Sequence, residues 1–171
     1  GLGKVLDAVD RCGLSDNTLV FFFSDNGGIS WVASNGSCRG YKADLWEGGH
    51  RVPAIARWGG RIPEGVVCDQ TAMGMDLLPT MMELAGVPLP PERKFDGVSL
   101  GGLLCRNEQL APRQLFWGYE LRGTAMRDGN WKFITKPDGT ELYDLSSDIG
   151  EQNNLADDHP ERVAEMASLV D

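Results

Sequence analysis

The sequence of 171 residues predicts an α/β fold made of two parts that differ in pattern. Up to about residue 105, helical and strand-like patterns alternate around a glycine-rich loop, which is typical of an α/β layer fold. After residue 105, short strand-like pieces alternate with turns and end in one helix. We therefore expect residues 1–105 to belong to an α/β domain and residues 106–171 to form a small antiparallel sheet packed by a final helix.

Two apolar strands are predicted in the first part. The run from Thr18 to Phe23 is apolar without polar alternation, which is typical of a buried strand covered on both faces. A second strand is predicted over residues 52–58. A helix with Val5, Leu6 and Val9 on one face leads into the first strand.

A second helix in the first part has recognisable ends. Asp76 is a good N-cap residue, and Gly86 with Pro88 stops the helix. Its apolar face is expected to comprise Leu77, Leu78, Met81, Leu84 and Ala85.

The second part contains turn signals at 127–130 and 136–139, each with Asp and Gly. These turns separate short strands and so predict an antiparallel sheet. The final helix begins at about Pro160, a residue favoured at the first helical position, and an apolar face recurs at helical spacing. The strands are predicted over residues 114–121, 124–126, 131–135 and 141–145.

Composition excludes several classes of function. Hydrophobic residues make up 42% and charged residues 24%, as in ordinary globular chains. The net charge of -9 argues against a nucleic acid as partner, and anionic substrates would need specific cationic groups. No apolar run approaches the ~20 residues of a membrane span. The four cysteines form no Cys-x-x-Cys pair, so neither a zinc site nor a disulfide framework is predicted.

Asp25 and Asn26 follow the first predicted strand after a single serine and precede two glycines. In parallel sheets, chemistry gathers beyond the carboxyl ends of the strands, and oxygen donors of this kind suit Ca²⁺ or Mg²⁺. The alternative is a β-hairpin, since Asn-Gly between apolar segments is a strong turn signal and residues 29–32 can form the return strand. The segment alone does not decide between these two interpretations.

Further motifs distinguish them. Six motifs cover nearly the whole chain: SDNGG, RG-x-K-x3-WEGG-x-RVP, MDLLPTMMELAGVPLP, FDGVSL, RDGNWKF and ELYDLSSDIGEQNNLADDHPE. In content and order these motifs resemble the sulfatases of the alkaline-phosphatase-like superfamily, and specifically the C-terminal portion of a type I, arylsulfatase-like enzyme.

The resemblance implies hydrolysis of sulfate monoesters with a divalent metal. Asp25 and Asn26 match two of the family's metal ligands, with Ca²⁺ the usual ion and Mg²⁺ possible. Lys42 matches the lysine that binds the sulfate group, and a compact cation there would neutralise charge that develops on the sulfuryl oxygens. We expect Lys42 to act in both substrate binding and catalysis.

Glu47 and Arg51 flank a double glycine. A structural ion pair that fixes the loop and supports the site is expected, with direct substrate contact as the alternative. His50 lies between them where the family commonly has an aliphatic residue. A strand is expected to begin there, so His50 is interpreted as a packing or surface residue.

The family's nucleophile is a formylglycine, made from the first residue of a Cys- or Ser-x-Pro-x-Arg motif near the N-terminus, and this sequence lacks the motif. Formylglycine is therefore expected only in a missing N-terminal portion, which is an expected partner, and the chain alone should be inactive. Two alternatives stay open: a non-catalytic truncated module with a structural or binding role, and a phosphodiesterase or phosphonate hydrolase of the same superfamily.

The substrate stays open between aryl and carbohydrate sulfate esters. The resemblance implies a periplasmic, secreted or lysosomal location. Because the strand at residues 18–23 would lose its neighbours in such a fragment, self-association is expected.

Overall fold

A computed structural model describes residues 1–119 and 121–170. Within these residues the helices are α1 (Leu2–Arg11), α2 (Glu47–His50), α3 (Leu77–Leu84), α4 (Gly101–Arg106) and α5 (Pro160–Val170). The strands are β1 (Val20–Phe23), β2 (Ala54–Arg57), β3 (Gln114–Tyr119), β4 (Gly123–Asp128), β5 (Trp131–Lys136) and β6 (Gly139–Asp144).

The chain forms two compact units. The first contains residues 1–22 and 55–111, and the second contains residues 23–54 together with the chain from Pro112 onward. Residues 23–54 thus group with the C-terminal sheet, and the division into domains at residues 1–105 and 106–171 stays a prediction.

Strands β1 and β2 pair with each other and form a two-stranded sheet, each shorter than its predicted range. The expectation of a buried first strand is wrong, since Phe22 and Phe23 are 49% and 42% exposed. The physical reason is that neither of the buried hydrophobic clusters in the described residues includes a residue of β1, so no packed layer covers these side chains. The hairpin alternative is also wrong, because residues 29–32 form a turn and pair with no strand in the described chain.

Helix α3 begins directly after Asp76, as predicted. The Asp76 carboxylate accepts hydrogen bonds from the backbone N–H groups of Met73 (2.7 Å) and Val98 (2.9 Å). The helix buries Pro79 and Thr80, so its predicted apolar face is wrong in part. Two members of that predicted face, Leu78 and Met81, are exposed.

The second unit contains an antiparallel sheet in the order β3-β4-β5-β6. Register pairs Ala125 with Ile134, and Phe133 with Leu142. One face packs against α5 through Met166, which confirms the predicted small sheet covered by a final helix. The opposite face packs against the segment that precedes α2; its buried residues are Leu45, Ala125, Ile134, Tyr143 and Leu145.

None of the helices in the described residues combines the length and apolar character that a bilayer crossing requires. The four cysteines are free thiols.

Candidate functional site

The residues predicted to bind metal and sulfate lie on two loops that are hydrogen-bonded to each other and to α2. We call residues 24–28 the Asp-Asn loop and residues 39–44 the lysine loop. The Gly27 N–H donates to the carbonyl oxygen of Gly49 in α2 (2.9 Å), and the Gly48 N–H donates to that of Arg39 (2.7 Å). The Lys42 N–H donates to the carbonyl oxygen of Gly28 (3.0 Å). The two loops and the helix therefore form one backbone-bonded assembly.

Glycine is required where these backbones meet. A Cβ on Gly27 would lie 1.7 Å from the Gly48 carbonyl oxygen, and a Cβ on Gly48 would lie 2.2 Å from that of Gly40. A Cβ on Gly49 would lie 2.0 Å from the carbonyl oxygen of Asp44. These are backbone atoms, so no side-chain movement relieves the overlap. The glycines allow the close approach on which the assembly depends.

Asn35 joins the two loops through its side chain. Its Oδ1 accepts from the Gly28 N–H (2.8 Å), and its Nδ2 donates to the Gly40 carbonyl oxygen (2.9 Å). The segment between these loops exposes Trp31, 80% of whose surface is accessible to solvent. The sequence did not predict this role of Asn35, because its two partners, the Gly28 N–H and the Gly40 carbonyl oxygen, are backbone groups that any residue carries.

Asp25 and Asn26 offer two oxygen donors from adjacent residues. The exposed Asp25 carboxylate accepts the Asn26 backbone N–H through Oδ1 (3.0 Å). The Asn26 Nδ2 donates to the Gly27 carbonyl oxygen (3.0 Å), which leaves the amide oxygen as the side chain's acceptor.

These donors fit a hard cation in chemical type but supply only part of the six to eight oxygens that Ca²⁺ takes. Across the described residues, no group of three or more His, Cys, Asp or Glu side chains could hold a metal ion. The pair alone therefore does not complete a shell.

Lys42 has an exposed side chain on a loop whose backbone is fixed on both sides. After Lys42, Ala43 adopts a left-handed conformation with φ 74°. The Asp44 carboxylate closes this turn, since it accepts the Tyr41 N–H (2.9 Å) and pairs with Arg122 (2.6 Å). The structure thus brings the lysine loop and the Asp-Asn loop together through backbone contacts.

Glu47 is almost completely buried at the start of α2. Its Oε2 pairs with Arg51 (3.1 Å) and its Oε1 with the Nζ of Lys132 on β5 (3.0 Å). Burial acts to raise the pKa of the Glu47 carboxyl, but the charges of Lys132 and His50 and the hydrogen bonds from Lys132 and Arg51 hold it below its ordinary value. Glu47 and Arg51 therefore form an ion pair on the loop, as expected, and Glu47 contacts the sheet as well.

His50 ends α2, whereas a strand was expected to begin there. Its ring lies 4.5 Å from that of Trp117, and its Nε2 lies 3.1 Å from the Lys132 Nζ. Burial, with the Lys132 charge as the next cause, lowers the pKa of His50 to about 4. His50 is therefore a neutral, half-buried packing residue at neutral pH.

Two functional candidates lie in the C-terminal motifs, and sequence analysis assigned no role to either residue. Lys132 is fully buried and pairs with Glu151 (2.7 Å) as well as with Glu47. Glu151 also accepts the Glu47 backbone N–H (2.6 Å). No periodicity marks these partners, since they are more than eighty residues from Glu47.

Comparison with known proteins identifies the family. Residues 1–87 match the family model described as Sulfatase. The chain is 39% identical to the steryl-sulfatase of Rattus norvegicus over 79% of its own length and 26% of that protein. It is 35% identical to arylsulfatase A of Bos taurus over 99% of its own length and 39% of that protein.

A solved structure from Bacteroides thetaiotaomicron, described with that organism's metabolism of multiple glycosaminoglycans, has the same fold. The TM-score is 0.84 at 26% identity, over 98% of this chain and 41% of that one. The chain therefore spans well under half the length of these relatives. The family model, the two relatives and the shared fold agree, and the chain belongs to the sulfatase family.

Proposed function

We propose that this chain supplies part of the active site of a sulfatase that hydrolyses sulfate monoesters with a divalent cation. One observation carries the proposal beyond family membership. The Lys42 N–H donates to the carbonyl oxygen of Gly28, so the expected sulfate-binding residue and the expected metal ligands Asp25 and Asn26 lie on directly bonded loops. A site for an anionic ester at a cation requires such proximity.

Asp25 and Asn26 are the residues that would hold Ca²⁺, or Mg²⁺, through their side-chain oxygens. When bound, the cation supplies Lewis-acid polarisation of a sulfate oxygen. Lys42 would bind the same sulfate group and neutralise the charge that develops on it. Asp44 and Asn35 hold the lysine loop, and Glu47 with Arg51 holds the helix beneath it, without contact to the substrate.

The nucleophile is proposed to come from a further portion of the protein. The sequence has no Cys- or Ser-x-Pro-x-Arg motif that could yield formylglycine. Its relatives are between two and four times longer than the aligned part, since it covers 26% to 39% of the two curated proteins. We propose that this further portion packs with the chain and completes the metal shell. The chain alone would then be inactive.

The test is an assay of the complete protein with Ca²⁺, in which an aryl sulfate, a sulfated sugar and a phosphonate ester are compared. Sulfate ester hydrolysis that is lost when the nucleophile is replaced by Ala is the expected result. Faster turnover of the phosphonate ester would replace the proposal with phosphonate hydrolysis. No turnover of any ester by a folded complete protein would favour a non-catalytic role.

A further inference from the structure

We propose that Lys132 and Glu151, both remote in sequence from the site, are positioning residues that hold α2 and through it the two site loops. What the loops do rests on the proposed function. The chain of contacts that holds them does not, because it consists of hydrogen bonds and ion pairs within one compact unit.

The contacts begin at a buried lysine. The Lys132 side chain has no exposed surface, and its Nζ lies between two buried carboxylates, 3.0 Å from Glu47 and 2.7 Å from Glu151. It projects from β5, the strand that pairs with β4 and β6 within the sheet. Glu151 then accepts the Glu47 backbone N–H (2.6 Å). The side chain of Glu47, the first residue of α2, is thus bound to Lys132 on β5, and its backbone N–H is bound to Glu151.

A second set of contacts connects Glu151 with the lysine loop through Arg39. The Arg39 guanidinium donates to the Glu151 carbonyl oxygen (2.9 Å) and to the Tyr143 hydroxyl (3.0 Å). It also lies over the Trp46 ring, 3.9 Å from its centroid. Arg39 is the first residue of the lysine loop, so one glutamate connects that loop and α2.

The site loops need such an anchor. Helix α2 contains only four residues, two of them glycine, and a helix of this length is not stable by itself. The two loops are hydrogen-bonded to α2 through backbone groups that approach closely at glycines, so the position of the loops depends on the position of α2. The buried ion pairs fix the position of α2, because moving Glu47 away would leave a buried Lys132 with one counter-charge fewer.

Hydrogen exchange of the complete protein tests the inference without any assay of chemistry. The variant is Lys132→Met, and mass spectrometry follows peptides that cover residues 24–28 and 39–49. We expect about tenfold faster exchange there, with the amides of β4 and β5 still protected. The matched control is Phe133→Leu, the next residue on the same strand, whose side chain packs against Met166 on the opposite face. It should lower thermal stability and leave exchange of the site loops unchanged relative to the sheet.

A second variant, Glu151→Gln, keeps the shape of the side chain and answers the same question if Lys132→Met does not fold. It should loosen the same two peptides by a smaller factor. Unchanged exchange in both peptides in a folded variant would overturn the inference, as would equal loosening of sheet and loops.

Kinetics of the complete protein give the second readout. A misplacement of catalytic groups by about 1 Å can cost 10²-fold in rate, so Lys132→Met should lower kcat by up to about that factor at temperatures where the variant is folded. Phe133→Leu should keep its kcat there, and this contrast separates positioning from stability. If the complete protein proves inactive on sulfate esters, the proposed function fails, while the exchange result still decides the positioning role.

Discussion

The backbone N–H of Gly27 donates a 2.9 Å hydrogen bond to the carbonyl oxygen of Gly49, and a Cβ on Gly27 would overlap the neighbouring Gly48 carbonyl. Two double glycines, Gly27–Gly28 and Gly48–Gly49, thus meet backbone to backbone. Both partners of this contact lie in the second unit, one in the Asp-Asn loop and one in α2.

Gly27→Ala is expected to destabilise the chain by more than about 3 kcal/mol, or to displace the Asp-Asn loop, because the added methyl group meets backbone that cannot yield without breaking this bond. Urea denaturation measures the change in the free energy of unfolding. Gly74→Ala is the matched control, since a Cβ there has nothing within 4 Å and the residue lies in a short 3-10 turn. Equal stability of the two variants would contradict the close approach.

If the proposed function holds, Lys42→Ala should separate substrate binding from metal binding in the complete protein. Loss of one oriented charge-stabilising donor typically costs about 10²–10³ in rate, and bound metal should be retained. Asp25→Ala and Asn26→Ala should lower both metal content and rate. Metal analysis beside sulfate ester kinetics measures both, and Lys94→Ala serves as the exposed-lysine control. Near-full activity of Lys42→Ala at low substrate would remove its assigned role.

Much of the fold could be predicted because its signals are local. Turns with Asp and Gly predicted the strands β3 to β6. Pro160 and the apolar residues that follow it at helical spacing predicted α5. Helices α2 and α4 were not predicted, since the first contains Gly48–Gly49 and the second begins with Gly101–Gly102, and glycine is unfavourable in helices.

The anchor of the site could not be predicted from the sequence. A lysine in a strand is ordinarily a solvated residue, and nothing local shows that Lys132 is buried between Glu47 and Glu151. The pairing follows from which face of the sheet Leu45 and Trp46 cover directly before α2, and this is a tertiary property. The motifs containing Lys132 and Glu151 were recognised by resemblance, but resemblance gave them no physical role.

The stability of the chain should depend on His50 between pH 6.5 and 4. Its pKa is lowered to about 4, first by burial and then by the Lys132 charge, with Glu47 opposing and Arg127 contributing. In the unfolded chain, His50 therefore binds a proton below about pH 6.5, whereas in the folded chain it binds one only below about pH 4. Stability attributable to His50 is present above pH 6.5 and is lost as the pH falls towards 4.

The measurement is the urea midpoint of wild type and His50→Gln across this range. The wild type should lose more stability than the variant between pH 6.5 and 4, and the two curves should run parallel below pH 4. Parallel curves throughout would show that the folded chain protonates His50 normally.

Calcium should bind the isolated chain weakly or not at all. Asp25 and Asn26 supply two side-chain oxygens, and no cluster of three or more acidic, His or Cys side chains completes a shell in the described residues. Calorimetric titration should show no event below the millimolar range. Micromolar binding that Asp25→Ala abolishes would reveal further ligands from this chain. Binding that persists in Asp25→Ala would lie elsewhere.

Self-association of the isolated chain is expected to involve β1 and β2. Phe22, Phe23 and Ile55 are 49%, 42% and 57% exposed, and within the described residues each of the two strands pairs with one neighbour only. A free strand edge beside exposed apolar side chains is a template for pairing with another chain. Two-stranded sheets are also marginally stable by themselves in water, so association would stabilise them.

Sedimentation at several concentrations should therefore show oligomers, and Phe22→Ser with Phe23→Lys should reduce them. Leu121→Ser is the control, because Leu121 is 95% exposed in the turn before β4 and lies outside both strands. If the control reduced association as strongly as the strand variant, general apolar exposure rather than the strand edge would drive it, and a monodisperse wild type would contradict the prediction altogether.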